Sequence, residues 1–272
     1  MPKLNVNDIE LYYETHGDGQ PLVLISGLGY SLWQWHRMVP FLADHFQVIT
    51  FDNRGVGQSA KPEGPYTAQM LAADTVGLLD ALNIEKAIIA GHSMGGFVAQ
   101  AIALDYPQRV EKLILCSTNF GGPRHIPVTP EAMKILTDVT SDALTRFKNG
   151  LVVSTAPGWA EKNPEMIQKW IQWRVANPIE PVHYQAQLAI GLALLPEAAA
   201  FENQLPRLKI PTLILFGAHD KVVPPENASL LAEKIANSQI ILFPDAGHFF
   251  PIEIPEAASR AIIEFAKGGG AS

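Results

Sequence analysis

The chain has 272 residues, 47% of them hydrophobic and 17% charged, with a formal net charge of −7. These are the values of a folded globular chain rather than a disordered one, and the length suits one large α/β domain or such a domain carrying an insertion. The acidic balance and the lack of a Lys/Arg cluster argue against nucleic acid or a membrane surface as partner, and the apolar run 188–195 is far too short to span a bilayer.

In chain order, residues 3–6 and 10–14 read as a strand pair turning at Asn7-Asp8, and 22–25 as a fully apolar strand. Residues 33–43 have amphipathic helical spacing, 47–51 form a strand and 67–82 a long helix. Strand 86–90 leads into a helical run at 96–104, and 112–116 is another strand. Strand character then stops. Residues 119–205 carry eight prolines, from Pro123 to Pro196, with helical stretches between them. Strands return at 211–216 and 239–243, each followed by a helix, 226–236 and 255–266.

Alternating βα units with continuous apolar strands predict an α/β fold: a mostly parallel, eight-stranded sheet covered by helices on both faces. A helical cap interrupts it after the sixth strand. The expected division is a core of 1–118 and 206–267, a cap of 119–205 and a flexible tail of 268–272. The single cysteine, Cys116, lies in an apolar run; no intrachain disulfide can form, and a buried inert thiol is expected. Residues 1–5 hold no apolar signal core, which leads to the expectation of a cytoplasmic protein. The oligomeric state stays open.

The most informative stretch is Gly91-His92-Ser93-Met94-Gly95, which reads G-x-S-x-G between a strand and a helix. A serine on so sharp a turn is held in a strained conformation with its hydroxyl raised above the fold. Side chains at Gly91 and Gly95 would clash where strand and helix cross. A serine hydroxyl needs a base within reach and a third group to orient that base. Asp220 follows the strand ending at Phe216, and His248 follows the strand ending at Phe243. Loops at the carboxyl ends of parallel strands share one rim, so Ser93, Asp220 and His248 can converge. His219 is the rival base and Asp245 the rival acid. His92 should point away from its neighbour Ser93. The developing oxyanion needs backbone N–H donors. Met94, at a helix N-terminus, supplies one, and Leu28, in the loop Ser26-Gly27-Leu28-Gly29, the other.

With these residues the chain resembles the α/β-hydrolases over nearly its whole length. Asp52-Asn53-Arg54-Gly55-Val56-Gly57-Gln58-Ser59 is similar to the family's D-x-R-G-x-G-x-S segment, which implies a structural brace under the active site. Ser26-Gly27 stands where the family often has His-Gly. From 22 to 118 the chain resembles 3-oxoadipate enol-lactonases and their esterase relatives, notably at Ser93-Met94-Gly95-Gly96 and Cys116-Ser117-Thr118. Serine at the nucleophile position argues against the haloalkane dehalogenase and epoxide hydrolase branches.

The expected activity is a serine carboxylesterase acting on a small or medium ester, with no metal and no cofactor. Because the histidine must be neutral to act as base, activity should rise through roughly pH 6–7. Gly27, Trp159, Leu192 and Phe249 are the expected substrate-binding positions. The cap also offers Trp170, Trp173, Leu188, Ile190 and Leu194, while Arg124 and Arg174 are placed in solvent or, less readily, against a substrate carboxylate. The alternatives are a lactonase (of 3-oxoadipate enol-lactone or an acyl-homoserine lactone), another triad reaction such as C–C hydrolysis or perhydrolysis, and a hydrolase-like receptor with slow turnover.

Overall fold

The computed structural model describes residues 2–138 and 140–268. Of the expected tail, residues 269–272 lie outside that range. The chain opens with β1 (Lys3–Val6) and β2 (Ile9–His16), joined by Asn7 and Asp8 at φ 47° and 62°. Two left-handed residues give the twist a two-residue hairpin requires, and Asn and Asp tolerate that region best. Then come β3 (Gln20–Ile25), α1 (Val39–Leu42), β4 (Phe46–Phe51), α2 (Ala68–Ala81), β5 (Ala87–His92), α3 (Met94–Asp105) and β6 (Val110–Cys116).

Among the described residues, five helices follow without a strand: α4 (Pro130–Leu136), α5 (Ala143–Ser154), α6 (Trp159–Lys162), α7 (Pro164–Ala176) and α8 (Pro181–Ala193). Prolines stand in the first turn of α4, α7 and α8, where the missing N–H costs nothing. The chain closes with β7 (Thr212–Gly217), α9 (Asn227–Lys234), β8 (Ser238–Phe243), α10 (Phe250–Glu253) and α11 (Pro255–Ala266).

The strands form one sheet in the order β1-β2-β4-β3-β5-β6-β7-β8. The pairs β1–β2 and β2–β4 are antiparallel and the rest parallel. Side chains alternate between the two faces. Leu22, Leu24, Ile88, Ala90, Ile114 and Cys116 pack with α1 and α11. Val23, Ile25, Ile89, Leu113 and Leu115 pack with α2 and α3. Both faces are buried, which is why the strands read as unbroken apolar runs rather than alternating ones. Cys116 is wholly buried, and burial pushes its thiol pKa up.

One expected element is corrected. The single helix predicted over 33–43 is a 3-10 turn, Leu32–Trp35, followed by the separate short helix α1. Pro40 stands in the first turn of α1; it has no N–H to donate back to His36, so a continuous helix would break there. The amphipathic spacing survives the break, since Trp35, Met38 and Leu42 are all buried. The long helix expected over 67–82 is α2, begun by Thr67, whose hydroxyl accepts the Met70 N–H at 3.1 Å.

Candidate active site

Ser93 sits between β5 and α3 at φ 55° and ψ −117°, a region an L-residue enters only when its surroundings impose it. The restraints are visible. Ser93 N–H donates to Cys116 O at 2.8 Å, and Ser93 O accepts both Gly96 N–H at 2.8 Å and Thr118 Oγ1–H at 2.9 Å. A Cβ on Gly91 would stand 2.1 Å from Gly95 O, and one on Gly95 would stand 2.3 Å from Ile25 O. Both glycines are therefore required by the crossing of strand, helix and β3.

Asp220 lies just past β7 and is buried. Its Oδ1 accepts the Val222 and Val223 N–H groups at 2.9 and 2.8 Å, and its Oδ2 meets His248 Nδ1 at 2.8 Å. Two backbone donors hold the carboxylate, which in turn holds the imidazole and directs its Nε2 away from the acid. Gly217 lets the two loops approach, because a Cβ there would lie 2.2 Å from Gly247 O. The rivals stand apart: His219 and Asp245 are both exposed. Among the described residues Ser93 Oγ makes no hydrogen bond to His248.

His92 has a task that its sequence context did not reveal. It is buried beneath the His248 loop, with its ring centroid 4.7 Å from that of His248. Its Nε2 lies 2.7 Å from His248 O. A carbonyl only accepts, so Nε2 carries the proton, and burial followed by the neighbouring His248 holds the His92 pKa well below its ordinary value. Glu253 of α10 is a second brace. Its carboxylate accepts Gly247 N–H at 3.0 Å and Ala156 N–H at 2.7 Å, joining the histidine loop to the insertion. Burial is the main cause that lifts its pKa to about 7.

The loop after β3 is equally held. Gly27 N–H donates to Gln34 Oε1 at 2.8 Å, and Asn53 Nδ2 donates to Ser26 O at 3.1 Å. Ser26 donates its hydroxyl to Ser31 O at 3.0 Å and so supports the loop itself. A Cβ on Gly27 would lie 3.3 Å from Ser93 Cβ, so this loop adjoins the serine. The N–H groups of Leu28 and Met94 donate to no protein group among the described residues. Asp52 bridges Leu32 N–H and Gln58 N–H at 2.8 and 2.7 Å, while Arg54 forms a buried ion pair with Asp74 of α2 at 2.6 Å.

Of the residues expected to bind substrate, Gly27 borders Ser93, and Phe249 packs beside His248 with ring centroids 5.4 Å apart. Trp159 is buried with Tyr30, Trp170 and Phe249 in an aromatic cluster. Leu192 is corrected: it is 55% exposed on α8. The buried residues of that helix are Ala186, Gln187 and Ile190, and a residue two places from Ile190 faces the opposite side. Arg124 pairs with Glu202 and Glu233 at the surface, whereas Arg174 is bound to the loop after β3.

A family model described as the alpha/beta hydrolase fold matches residues 20–255. The chain belongs to the α/β hydrolase fold family. This α/β hydrolase is 31% identical over 269 residues to 3-oxoadipate enol-lactonase 2 of Acinetobacter baylyi, covering 95% of this chain and 94% of the relative. Its structure resembles a thermophilic esterase from Thermogutta terrifontis, with a TM-score of 0.81, 31% identity and 99% of both chains covered. It also resembles Est816, an N-acyl homoserine lactone degrading enzyme, with a TM-score of 0.82 and 29% identity over 97% of this chain and 100% of the other. Among the described residues of this α/β hydrolase, no helix is long and apolar enough to cross a membrane.

Proposed function

We propose that this α/β hydrolase is a serine esterase that cleaves a small or medium carboxylic ester through an acyl-enzyme. The observation that carries the reading is the buried 2.8 Å contact between Asp220 Oδ2 and His248 Nδ1, on the rim where Ser93 is held at positive φ.

In the first step Ser93 Oγ attacks the ester carbonyl carbon while His248 Nε2 takes its proton. Asp220 keeps the imidazole in the tautomer that leaves Nε2 free and stabilises the imidazolium that forms. The carbonyl oxygen becomes an oxyanion facing the free N–H groups of Leu28 and Met94. The intermediate collapses, His248 gives the proton to the leaving alkoxide, and an alcohol departs. Water then attacks the acyl-enzyme carbonyl, losing a proton to His248; the intermediate collapses, the bond to Ser93 Oγ breaks, His248 returns the proton to Oγ, and the acid departs. The aromatic cluster of Tyr30, Trp159, Trp170 and Phe249 beside His248 favours an apolar acyl or aryl group.

A lactone is the second reading, because the same chemistry opens a cyclic ester and because the relatives in Acinetobacter baylyi and Est816 carry lactone names. The reading includes a separable cap over 119–205 and a cytoplasmic setting, the latter supported only by the single, unpaired cysteine. The test is steady-state hydrolysis of a p-nitrophenyl ester series set against an enol-lactone and acyl-homoserine lactone panel. Multiple turnover that disappears in Ser93→Ala is expected; turnover that survives the substitution overturns the mechanism. Single turnover without steady state would instead indicate a receptor built on the same fold.

A further inference from the structure

The turn that carries the Leu28 amide is held partly from outside the core. Gly27–Tyr30 is a four-residue turn closed by Tyr30 N–H donating to Gly27 O at 3.2 Å, with Gly29 in third place at φ +71°. The core pins its first residue through Gln34. The two polar groups of Gly29 go elsewhere, and both are taken by helices of the insertion. Gln187 of α8 accepts Gly29 N–H on Oε1 at 2.9 Å and donates Nε2–H to Arg54 O at 2.9 Å. Arg174 of α7 donates Nη1–H to Gly29 O at 2.7 Å and lays its guanidinium 4.1 Å from the centre of the Tyr30 ring. Gln187 is wholly buried on an otherwise apolar stripe. An amide in such a place is tolerated only when both its ends are paired, and here both ends serve backbone groups of core loops.

We propose that Gln187 and Arg174 are positioning residues for the reaction: the cap clamps the Gly27–Tyr30 turn and thereby directs the Leu28 N–H at the oxyanion. The proposal rests on the serine-hydrolase reading above. Glycine in third place makes either orientation of the Leu28–Gly29 peptide accessible to the turn. The Gln187 contact selects one, and the Arg174 contact fixes the next peptide along. The Leu28 N–H belongs to the peptide before these two, whose carbonyl, Gly27 O, takes the Tyr30 N–H; with the two following peptides pinned, that peptide has little freedom to swing. The oxyanion donor is then complete only while α7 and α8 are docked, which ties enclosure of the substrate to competence for chemistry.

The experiment compares an aryl ester with its thionoester, in which sulfur replaces the carbonyl oxygen. Sulfur is larger and a poor hydrogen-bond acceptor, so donors placed for an oxyanion favour the oxygen substrate. Loss of donor alignment lowers the ester rate selectively, whereas general loosening lowers both. In Gln187→Met, which keeps the length and removes both hydrogen bonds, ester kcat should fall roughly 10–100-fold, less than the ~10²–10³ cost of deleting a donor outright. KM should hold nearly constant and the ester-to-thionoester ratio should collapse. Arg174→Met should show the same pattern, and Arg174→Lys, which restores a cation over Tyr30 and a donor for Gly29 O, should recover most of the ratio. If Gln187→Met does not fold, the partly exposed Arg174 pair decides. An unchanged ratio in an active, folded variant overturns the clamp alone. A parent whose ester turnover does not depend on Ser93 overturns the serine-hydrolase reading and the clamp with it.

Discussion

At the scale of single residues, the site is a set of hydrogen bonds that each leave one atom free for chemistry. Asp220 spends Oδ1 on two backbone N–H groups and Oδ2 on His248, so the imidazole has one orientation. His92, held neutral by burial, fixes the carbonyl of the same histidine from below. Asp220→Asn keeps the shape but presents an amide donor to Nδ1, favouring the wrong tautomer. It is expected to lower kcat by on the order of 10³–10⁴ with little change in KM. Steady-state kinetics on a p-nitrophenyl ester reads this directly, and a loss of less than tenfold would remove Asp220 from its assigned role.

At the scale of elements, the loops owe their positions to close backbone approaches and to bridging carboxylates. Gly95 illustrates the first. Its missing Cβ is the space in which Ile25 O of β3 sits, so Gly95→Ala forces apart α3 and β3. A stability loss of about 1–3 kcal/mol, or more if the elbow cannot yield, is expected in urea denaturation. Glu253 illustrates the second. Burial, helped by the nearby Asp220 charge and opposed by two N–H donors, lifts its carboxyl to about 7, whereas an unfolded chain has the ordinary value of ~4.3. Between those values the folded protein holds a proton that the unfolded chain has released. The stability this group contributes is therefore whole below about pH 4 and is lost as pH rises through 7. Glu253→Gln removes the titration. The stability of the parent relative to this variant should fall with pH between 5 and 7, with a limiting slope of about 1.4 kcal/mol per pH unit. Urea melts at pH 5, 6, 7 and 8 measure it, and a flat difference would refute the assignment.

At the scale of the whole molecule, an aromatic cluster adds to the hydrogen bonds of Glu253, Gln187 and Arg174 in joining the insertion to the core loops. Trp170 of α7 is fully buried, with its ring centroid 6.1 Å from that of Tyr30, 6.0 Å from Trp33 and 4.9 Å from Phe249. Tyr30 closes the turn that carries Leu28, and Phe249 follows His248. Trp170→Ala should cost about 3–5 kcal/mol by the cavity it leaves. Cleavage by a trace of protease should then concentrate in the helices between β6 and β7. Uniform digestion of the whole chain, or no increase at all, would show that the cap is not hinged on this cluster.

The sheet, the insertion and the positions of Ser93, Asp220 and His248 were legible in the sequence for local reasons. Buried parallel strands must be continuously apolar, proline-rich segments without strand character must leave the sheet, and a serine between Gly91 and Gly95 needs the crossing those glycines allow. The misread stretches turned on geometry that spacing does not encode. Residues 33–43 kept their apolar period through a break ahead of Pro40, and Leu192 shared a helix with buried neighbours but not their face. His92, Glu253, Gln187 and Arg174 carry no motif. Each acts on a backbone group far away in the sequence, as when Gln187 reaches Gly29 across 158 positions. Periodicity and spacing report what a residue does to its own element; which carbonyl or amide it meets across the molecule is decided only when the elements pack.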